Sequence, residues 1–494
     1  MSLFLVFLAI AAAGAVALAV SGRVSRRAKT EAGQGWERGE VPALDGLSEA
    51  DPRLPAVLLP EHPVASDIDR LRFSVAFRGY RMDQVDQVLD RLRRELAARD
   101  ELAFWKKRVV ALPWWIHVVV LYTLARLYSL FVFLAVARQQ GPSPWGGAHP
   151  DYLSFIGIWD SAWYEQIYRD GYPSEIPRAG DGQAEENPWA FYALFPAIIR
   201  GLNAATGLDW EVLAPVAATL AGFLAAGIIY KLFRRFAGHG TALWAVVFVA
   251  VFPVSPILQV PYAESLNLAL LAGSLYLVIT RRYLIAVPVV LLMCLSRPTG
   301  VPFAAMMGVY LLWRIWRRQQ EELQTPEFLR IVALALVSCA GALIWPALAW
   351  AVTGEMDAYT ATETAWRGDD LVLFMPWFDM GKDLFGPVAG VLAPPVLVAA
   401  AVLCLSSAPA RKIGMELRLW CAAYAAYLFA FLHPQTSTFR LLLPLFPLAL
   451  VAAMASRSTA YRVCLGVMFL AGQIVWVAWL WSWAELPGGG DYPP

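Results

Sequence analysis

The sequence predicts an all-α, polytopic membrane protein. Hydrophobic residues make up 59% of the chain and charged residues 16%, and the mean hydropathy is +0.52. Soluble proteins are closer to 45–50% apolar and about 25% charged. Apolar runs of helical length follow one another from about residue 113 to residue 483, and about 20 such residues can cross a bilayer as a helix. The formal net charge is +1 and no nucleic-acid motif occurs, so nucleic acid is not expected as a partner.

Residues 1–20 predict an N-terminal transmembrane anchor. The apolar run has no Lys or Arg before it, whereas four basic residues follow within 23–29. Positive charge marks the cytoplasmic flank of a span, so the N-terminus is expected outside and residues 21–108 in the cytoplasm. A cleaved signal peptide, with "ALA" at 17–19 as its cleavage site, is the alternative.

Two soluble segments are predicted between this anchor and the membrane domain, 105–494. Residues 21–70 are rich in Gly, Pro and charge, which is typical of a flexible linker. Residues 71–104 contain an amphipathic helix with apolar positions in 4-3-4 spacing. These positions are Val85, Leu89, Leu92 and Leu96.

The segment 71–104 resembles the DivIVA domain. The resemblance rests on Phe77-Arg78-Gly79-Tyr80, followed by Val85, Asp86 and Leu89. It implies association with a polar or curvature-dependent scaffold at the membrane, together with self-pairing. The alternative is a solvated amphipathic helix that precedes the membrane domain.

Basic clusters predict the topology of the membrane domain. The expected spans are 113–137, 211–230, 241–259, 262–280, 283–295, 298–314, 329–353, 384–405, 415–433, 440–455 and 460–483. Their basic flanks all lie inside if the loop 138–188 lies outside, and the stretch 189–205 must then lie on the outer surface or re-enter. With the N-terminal anchor, about twelve spans are predicted in the plasma membrane.

Polar residues at the outer ends of these spans predict a shared site. They lie in segments 159–173, 187–196, 261–267, 295–300 and 433–440 and in the loop 354–382. A charged side chain near the bilayer centre costs about 2.5–3.5 kcal/mol on insertion scales. Glu264, Arg297 and Arg440 therefore either extend to the interface or line a polar cavity beside Asp160.

The residue types in this group suggest glycosyl transfer. The chain has no Gly-rich phosphate loop, HExxH or GxSxG motif. Arginine binds phosphate through paired hydrogen bonds, an ionised aspartate can accept a hydroxyl proton, and aromatic rings provide flat apolar faces for a sugar. The five cysteines occur singly, so neither disulfides nor a metal site is predicted, and no cofactor is expected.

Four segments in order resemble the PIG-V-type mannosyltransferases. They are "WDSAWYEQIYRDGYP" at 159–173, "AFYALFP" at 190–196, the run from "FPVSP" to "LSRPTG" at 252–300, and "STFRLLLPLFPLAL" at 437–450. The resemblance covers roughly residues 113–483. It implies a GT-C fold, an active site on the extracytoplasmic face, a polyprenyl-phosphate sugar donor, typically of mannose, and a hydroxyl acceptor on a glycan, glycolipid or protein.

The resemblance also implies roles for individual residues. Asp160 would be the catalytic base of an inverting reaction, Glu264 would orient the acceptor or the sugar, and Arg297 and Arg440 would neutralise the leaving phosphate. The further expected substrate-binding residues are Trp159, Tyr164, Tyr172 and His433.

The chain departs from the family pattern at two positions. The second Pro that the family has after its Phe-Phe-Pro segment is missing around Ala197–Ile198. The family commonly has His-Phe where this chain has Trp163-Tyr164. His433 would replace that histidine, or else cap a helix end. Two other functions stay open: a transporter of lipid-linked sugars, and a scaffold recruited through residues 71–104.

Overall fold

The computed structural model describes residues 112–180, 182–366 and 372–485, together with 92, 93, 97 and 494. The described residues from 118 onward belong to one compact unit, which contains the site. Residues 92, 93 and 97 belong to a second unit and are helical. The predicted anchor, linker and most of the DivIVA-like segment lie outside the described residues and stay predictions.

The predicted all-α class is confirmed. Within the described ranges the only β structure is two isolated bridges. The α-helices are α1 Trp114–Ala137, α2 Tyr152–Ile156, α3 Asp160–Asp170, α4 Leu194–Thr206, α5 Trp210–Phe233, α6 His239–Ala250, α7 Glu264–Ile279, α8 Tyr283–Cys294, α9 Gly300–Trp316, α10 Thr325–Thr353, α11 Ala358–Ala365, α12 Met375–Ser406, α13 Met415–Phe431, α14 Pro447–Ala455 and α15 Thr459–Trp476. Short 3₁₀ turns cover Pro188–Ala190, Ser255–Gln259, Ala410–Lys412 and Thr436–Leu445, and a π turn covers Val477–Trp481.

Five helices in the described part of the chain are long and apolar enough to cross a membrane, or six with one bent pair. The five are α1, α5, α10, α12 and α15 with its π turn, and the shorter apolar helices are α6, α7, α8 and α9. The protein is therefore a multi-pass membrane protein by helix length and composition. The count of twelve spans stays a prediction.

Three predicted spans are not continuous helices. The predicted span 384–405 lies in α12, which is kinked at Gly386, where φ is 80° and ψ is 171°. The predicted span 440–455 consists of the 3₁₀ turn Thr436–Leu445 and α14, which meet at a bend of 76°. Pro444 and Pro447 lack the N–H groups that a continuous helix would need there. The predicted span 241–259 ends as a helix at Ala250, so its second half was wrongly expected to be α-helical.

A buried arginine binds the backbone that leaves the helix after α6 ends at Ala250. Arg126 of α1 donates to the carbonyl oxygens of Ala250, at 2.6 Å, and Ser255, and also to the Ser255 hydroxyl at 3.1 Å. Gln473 of α15 donates to the same hydroxyl at 3.0 Å, and Ser129 donates to Gln473 at 2.9 Å. This network satisfies carbonyls that the helix no longer pairs, as a backbone inside the membrane requires.

Replacing Arg126 with methionine should destabilise the protein by about 2–4 kcal/mol. Methionine fills a similar volume but leaves the Ser255 carbonyl without its donor, and an unsatisfied buried group costs about 1–3 kcal/mol. The Ala250 carbonyl and the Ser255 hydroxyl each lose one donor and keep another, from Ser255 and Gln473 respectively. The loss is measurable as a lower melting temperature of the purified protein in detergent. Arg138 is exposed and directly follows α1. Arg138→Met is therefore the matched control and should change the melting temperature little. If both variants had the same melting temperature, contacts other than those of Arg126 would stabilise the helix break after Ala250.

Candidate active site

Asp160 is the first residue of α3, and an unusual backbone turn places it inward. Trp159, directly before it, has a positive φ of 62°, a conformation that costs a non-glycine residue about 1–3 kcal/mol. The Trp159 indole donates to the carbonyl of Trp481 at 2.7 Å, and this bond helps to hold the turn. The Asp160 backbone N–H donates to the Tyr262 hydroxyl at 3.0 Å, and the Asp160 residue is 6% exposed.

Aromatic packing fixes α3 against its neighbours. Tyr164 is fully buried, with its ring centre 5.3 Å from Phe191 and 5.8 Å from Phe195. Burial raises the pKa of the Tyr164 phenol, so the phenol stays neutral at physiological pH. The Tyr172 hydroxyl donates to the Phe191 carbonyl at 2.8 Å. These contacts give Asp160 a rigid support.

Four charged side chains meet at Asp160. Arg440 Nη1 lies 2.6 Å from Asp160 Oδ2 and 3.9 Å from Glu264 Oε1, and Arg297 forms an ion pair with Glu264. All four side chains are at most 15% exposed. They come from α3, the start of α7, the turn before α9 and the 3₁₀ turn before α14. The cluster is formally neutral, as buried charges require for stability.

Arg440 keeps hydrogen-bonding capacity beyond these ion pairs. Its guanidinium carbon lies 5.6 Å from the centre of the Tyr262 ring. Its buried Nε donates to no atom of the described residues. A guanidinium has five N–H donors, so an added acceptor, such as a phosphate oxygen, can bind here without replacing every existing contact.

Asn267 joins the two segments that hold Glu264 and Arg297. It lies three residues after Glu264 in α7, and its amide donates to Ser296 Oγ at 2.8 Å and to Thr299 Oγ1 at 2.9 Å. Because Ser296 and Thr299 flank Arg297, this amide fixes the turn that carries the arginine. The residue is 3% exposed, and we assign it a positioning role.

The four charged residues line a cavity of about 380 Å³. Its other polar lining residues include Asn267, Thr360, Glu363, Thr364, His433 and Gln435. Its apolar lining includes Phe191, Trp366, Tyr427, Leu428, Phe431 and Leu441. In the part of the chain that the structure describes, no group of three or more His, Cys, Asp or Glu side chains is arranged to hold a metal ion. The cavity therefore combines buried charge with a wide apolar wall.

The structure brings together five of the eight residues predicted from sequence. Asp160, Glu264, Arg297, Arg440 and His433 all line the cavity.

The other three predicted residues, Trp159, Tyr164 and Tyr172, lie outside the cavity lining. They pack instead: Trp159 against Trp145, Tyr164 in the cluster described above, and Tyr172 between two tryptophans, Trp189 and Trp345. In this structure they support α3 and do not face the space where a substrate would bind.

Helix α11 supplies lining residues that were not singled out from sequence. Thr360, Glu363 and Thr364 line the cavity together with Tyr359. Tyr359 with Glu363, and Thr360 with Thr364, are four residues apart, which places each pair on one helix face. That spacing is visible in "AYTATETA" at 358–365 and is the signal that would have found them.

No protein-family model matches the chain, and no curated protein sequence matches it. Among solved structures, it is similar to ArnT from Cupriavidus metallidurans bound to undecaprenyl phosphate, with a TM-score of 0.41 and 16% identity, covering 68% of this chain and 59% of that chain. It is also similar to the Archaeoglobus fulgidus oligosaccharyltransferase in complex with Zn and sulfate, with a TM-score of 0.39 and 13% identity, covering 72% and 53%. The chain thus spans less than two thirds of the length of either protein. These values describe a distant likeness of helical architecture.

Proposed function

We propose that this protein is a membrane glycosyltransferase of the GT-C class that transfers mannose from a polyprenyl phosphate to a hydroxyl acceptor. The observation that carries the proposal is the convergence of Asp160 with the guanidinium groups of Arg297 and Arg440 in one buried cavity. The four ordered segments that resemble PIG-V-type mannosyltransferases supply all three of these residues. The same resemblance is the reason for proposing mannose as the transferred sugar.

The reaction is a single displacement at the anomeric carbon. The acceptor hydroxyl oxygen attacks that carbon as its proton passes to Asp160, and the bond to the phosphate oxygen breaks. The donor phosphodiester carries one negative charge, and the leaving polyprenyl phosphate gains a second. Arg297 and Arg440 are placed to stabilise this developing charge. One displacement with no covalent sugar–enzyme step gives inversion.

The cavity walls fit the two chemically different parts of the donor. Leu428, Phe431 and Leu441 provide apolar surface beside Arg440, where the first isoprene units would lie. Phe191 and Trp366, whose ring centres are 5.5 Å apart, provide apolar faces for the sugar ring. Glu363 adds a carboxylate that can accept hydrogen bonds from sugar or acceptor hydroxyls.

The basic residues of the chain support an extracytoplasmic site in the plasma membrane. Glu264 begins α7, whereas Arg281 and Arg282 follow its other end. If the basic end faces the cytoplasm, as the positive-inside rule predicts, the cavity faces outside. Polyprenyl-phosphate sugars and a glycan, glycolipid or protein acceptor would then meet at the outer rim of the bilayer.

The proposal predicts label transfer from a lipid-linked mannose. Membranes from cells that overproduce the full chain should incorporate mannose from polyprenyl-phosphate [³H]mannose into a hydroxyl-linked product at least about tenfold faster than control membranes. Polyprenyl-phosphate [³H]glucose is the matched donor control and should give little transfer. The anomeric configuration of the product linkage shows whether the transfer inverts the anomeric carbon.

Two outcomes would contradict the proposal. Incorporation only from GDP-mannose would remove the lipid-phosphate donor. Movement of the labelled lipid across sealed vesicles without a new glycosidic bond would instead support a transporter.

A further inference from the structure

A second polar cavity, of about 460 Å³, lies at the opposite ends of the helices that carry the candidate active site. It is lined by Arg281 after α7, by the end of α9 and by the segment that leads into α13. Helix α7 has 16 residues, which at 1.5 Å per residue separates the two cavities by about 24 Å. This cavity shares no lining residue with the candidate active site.

Two of its arginines are neutralised by neighbouring glutamates. Arg314 is 1% exposed and lies 2.9 Å from Glu321 and 3.0 Å from Glu327. Arg281 lies 3.8 Å and 3.6 Å from the same two carboxylates. These four residues form a neutral network that makes up one wall.

The remaining arginines leave the cavity with excess positive charge. Arg317, Arg411 and Arg418 line it, and within the described ranges none of them has a carboxylate within 4.0 Å. Glu416 is the additional lining carboxylate. Five guanidinium groups against three carboxylates, counting Glu327, give this group a formal charge of +2. An anion of charge −1 to −2 would reduce or cancel this charge.

Arg317 keeps hydrogen-bonding capacity for a ligand. The buried Nε of Arg317 donates to no atom of the described residues. A planar guanidinium with free N–H donors is the group that binds phosphate oxygens best.

The surface beside the cavity indicates its depth in the membrane. Trp316, the last residue of α9, is 77% exposed, and Leu312, one turn earlier, is 66% exposed. A lipid-facing leucine followed by a tryptophan is typical of the boundary between hydrocarbon and headgroups. This pair of residues indicates that the cavity lies near that boundary.

We propose that this cavity binds a phosphate group, supplied either by an anionic lipid headgroup or by a soluble phosphate ester. The proposal does not depend on the function of the first cavity. Arg317 and Arg411 contact the phosphate oxygens. The neutral network of Arg281, Arg314, Glu321 and Glu327 keeps one wall of the cavity in place.

The test is a titration of the purified full-length protein in detergent with dioleoylphosphatidylglycerol, followed by native mass spectrometry, and separately with inorganic phosphate. Arg317→Gln/Arg411→Gln should weaken phosphatidylglycerol binding at least about tenfold, because each charge-assisted hydrogen bond contributes substantially to binding. Arg282→Gln/Arg318→Gln removes two charges from the same end of the protein but outside the cavity, and should weaken binding less than about twofold.

Inorganic phosphate distinguishes the two sources. Phosphate that binds with the same dependence on Arg317 and Arg411 indicates a soluble ester, whereas binding of the lipid alone indicates a headgroup. Equal losses in the two double variants, or no loss in either, would overturn the proposal. Arg411→Gln alone, at an exposed position, is the variant to use if the double variant fails to fold, and it should weaken binding at least about threefold.

Discussion

Asp160→Asn should lower the rate of mannose transfer by about 10²–10⁴-fold. Asparagine keeps the size of the side chain but cannot accept the acceptor's proton, and a general base contributes about this factor. The other groups of the lining that can accept a proton are Glu264, Glu363 and His433, so the size of the loss measures how far they replace Asp160. The effect is measured as the initial rate in proteoliposomes that contain saturating polyprenyl-phosphate mannose.

Asp170→Asn is the matched control for this experiment. Asp170 ends the same helix, is exposed and does not line the cavity. Its replacement should change the rate less than about twofold. Transfer by Asp160→Asn at the wild-type rate would exclude Asp160 as the base, and Glu363→Gln would then be the next variant to measure.

The charged residues of the site were predictable because charge is expensive in an apolar chain. Glu264, Arg297 and Arg440 lie at the ends of apolar segments, and a buried ion needs either a partner or a polar cavity. The topology inferred from basic clusters assigned all of them to one face. The structure brings them together with Asp160.

The breaks in the helices were not predictable from apolar periodicity. Residues 251–259 continue a largely apolar run but contain Pro253 and Pro256, which lack the N–H groups of a continuous helix. Arg126, far away in the chain, binds the carbonyls that the break frees. A backbone carbonyl has no signature in a sequence. The partner of these carbonyls is therefore visible only after the fold is known.

The roles of the aromatic residues were also not predictable. Tyr164 of α3 and Tyr172, which follows α3, pack against neighbouring aromatic residues, whereas Tyr359 and Tyr427 line the cavity. All four rings bury apolar surface and carry a hydroxyl, so residue type alone does not distinguish packing from lining of the cavity. The relative placement of α3, α11 and α13 makes that distinction.

Arg440→Gln should lower kcat by about 10²–10³-fold and raise the KM for polyprenyl-phosphate mannose. Loss of one donor to a developing oxyanion costs about this factor. A second effect, on stability, is expected because Arg440 also pairs with Asp160 at 2.6 Å. Glutamine would leave Asp160 buried without its cation and destabilise the protein by about 3–5 kcal/mol. Steady-state kinetics and melting of the same preparation measure both effects.

The double variant Asp160→Asn/Arg440→Gln separates these two effects. It replaces a buried ion pair with two neutral amides that can hydrogen-bond to each other, so its stability should return to within about 1–2 kcal/mol of the wild type. Its activity should stay as low as that of Asp160→Asn, since neither the base nor the cation is restored. Activity that recovered together with stability would show that the Asp160–Arg440 pair serves only to hold the fold, and that proton transfer and phosphate binding take place on other residues of the cavity.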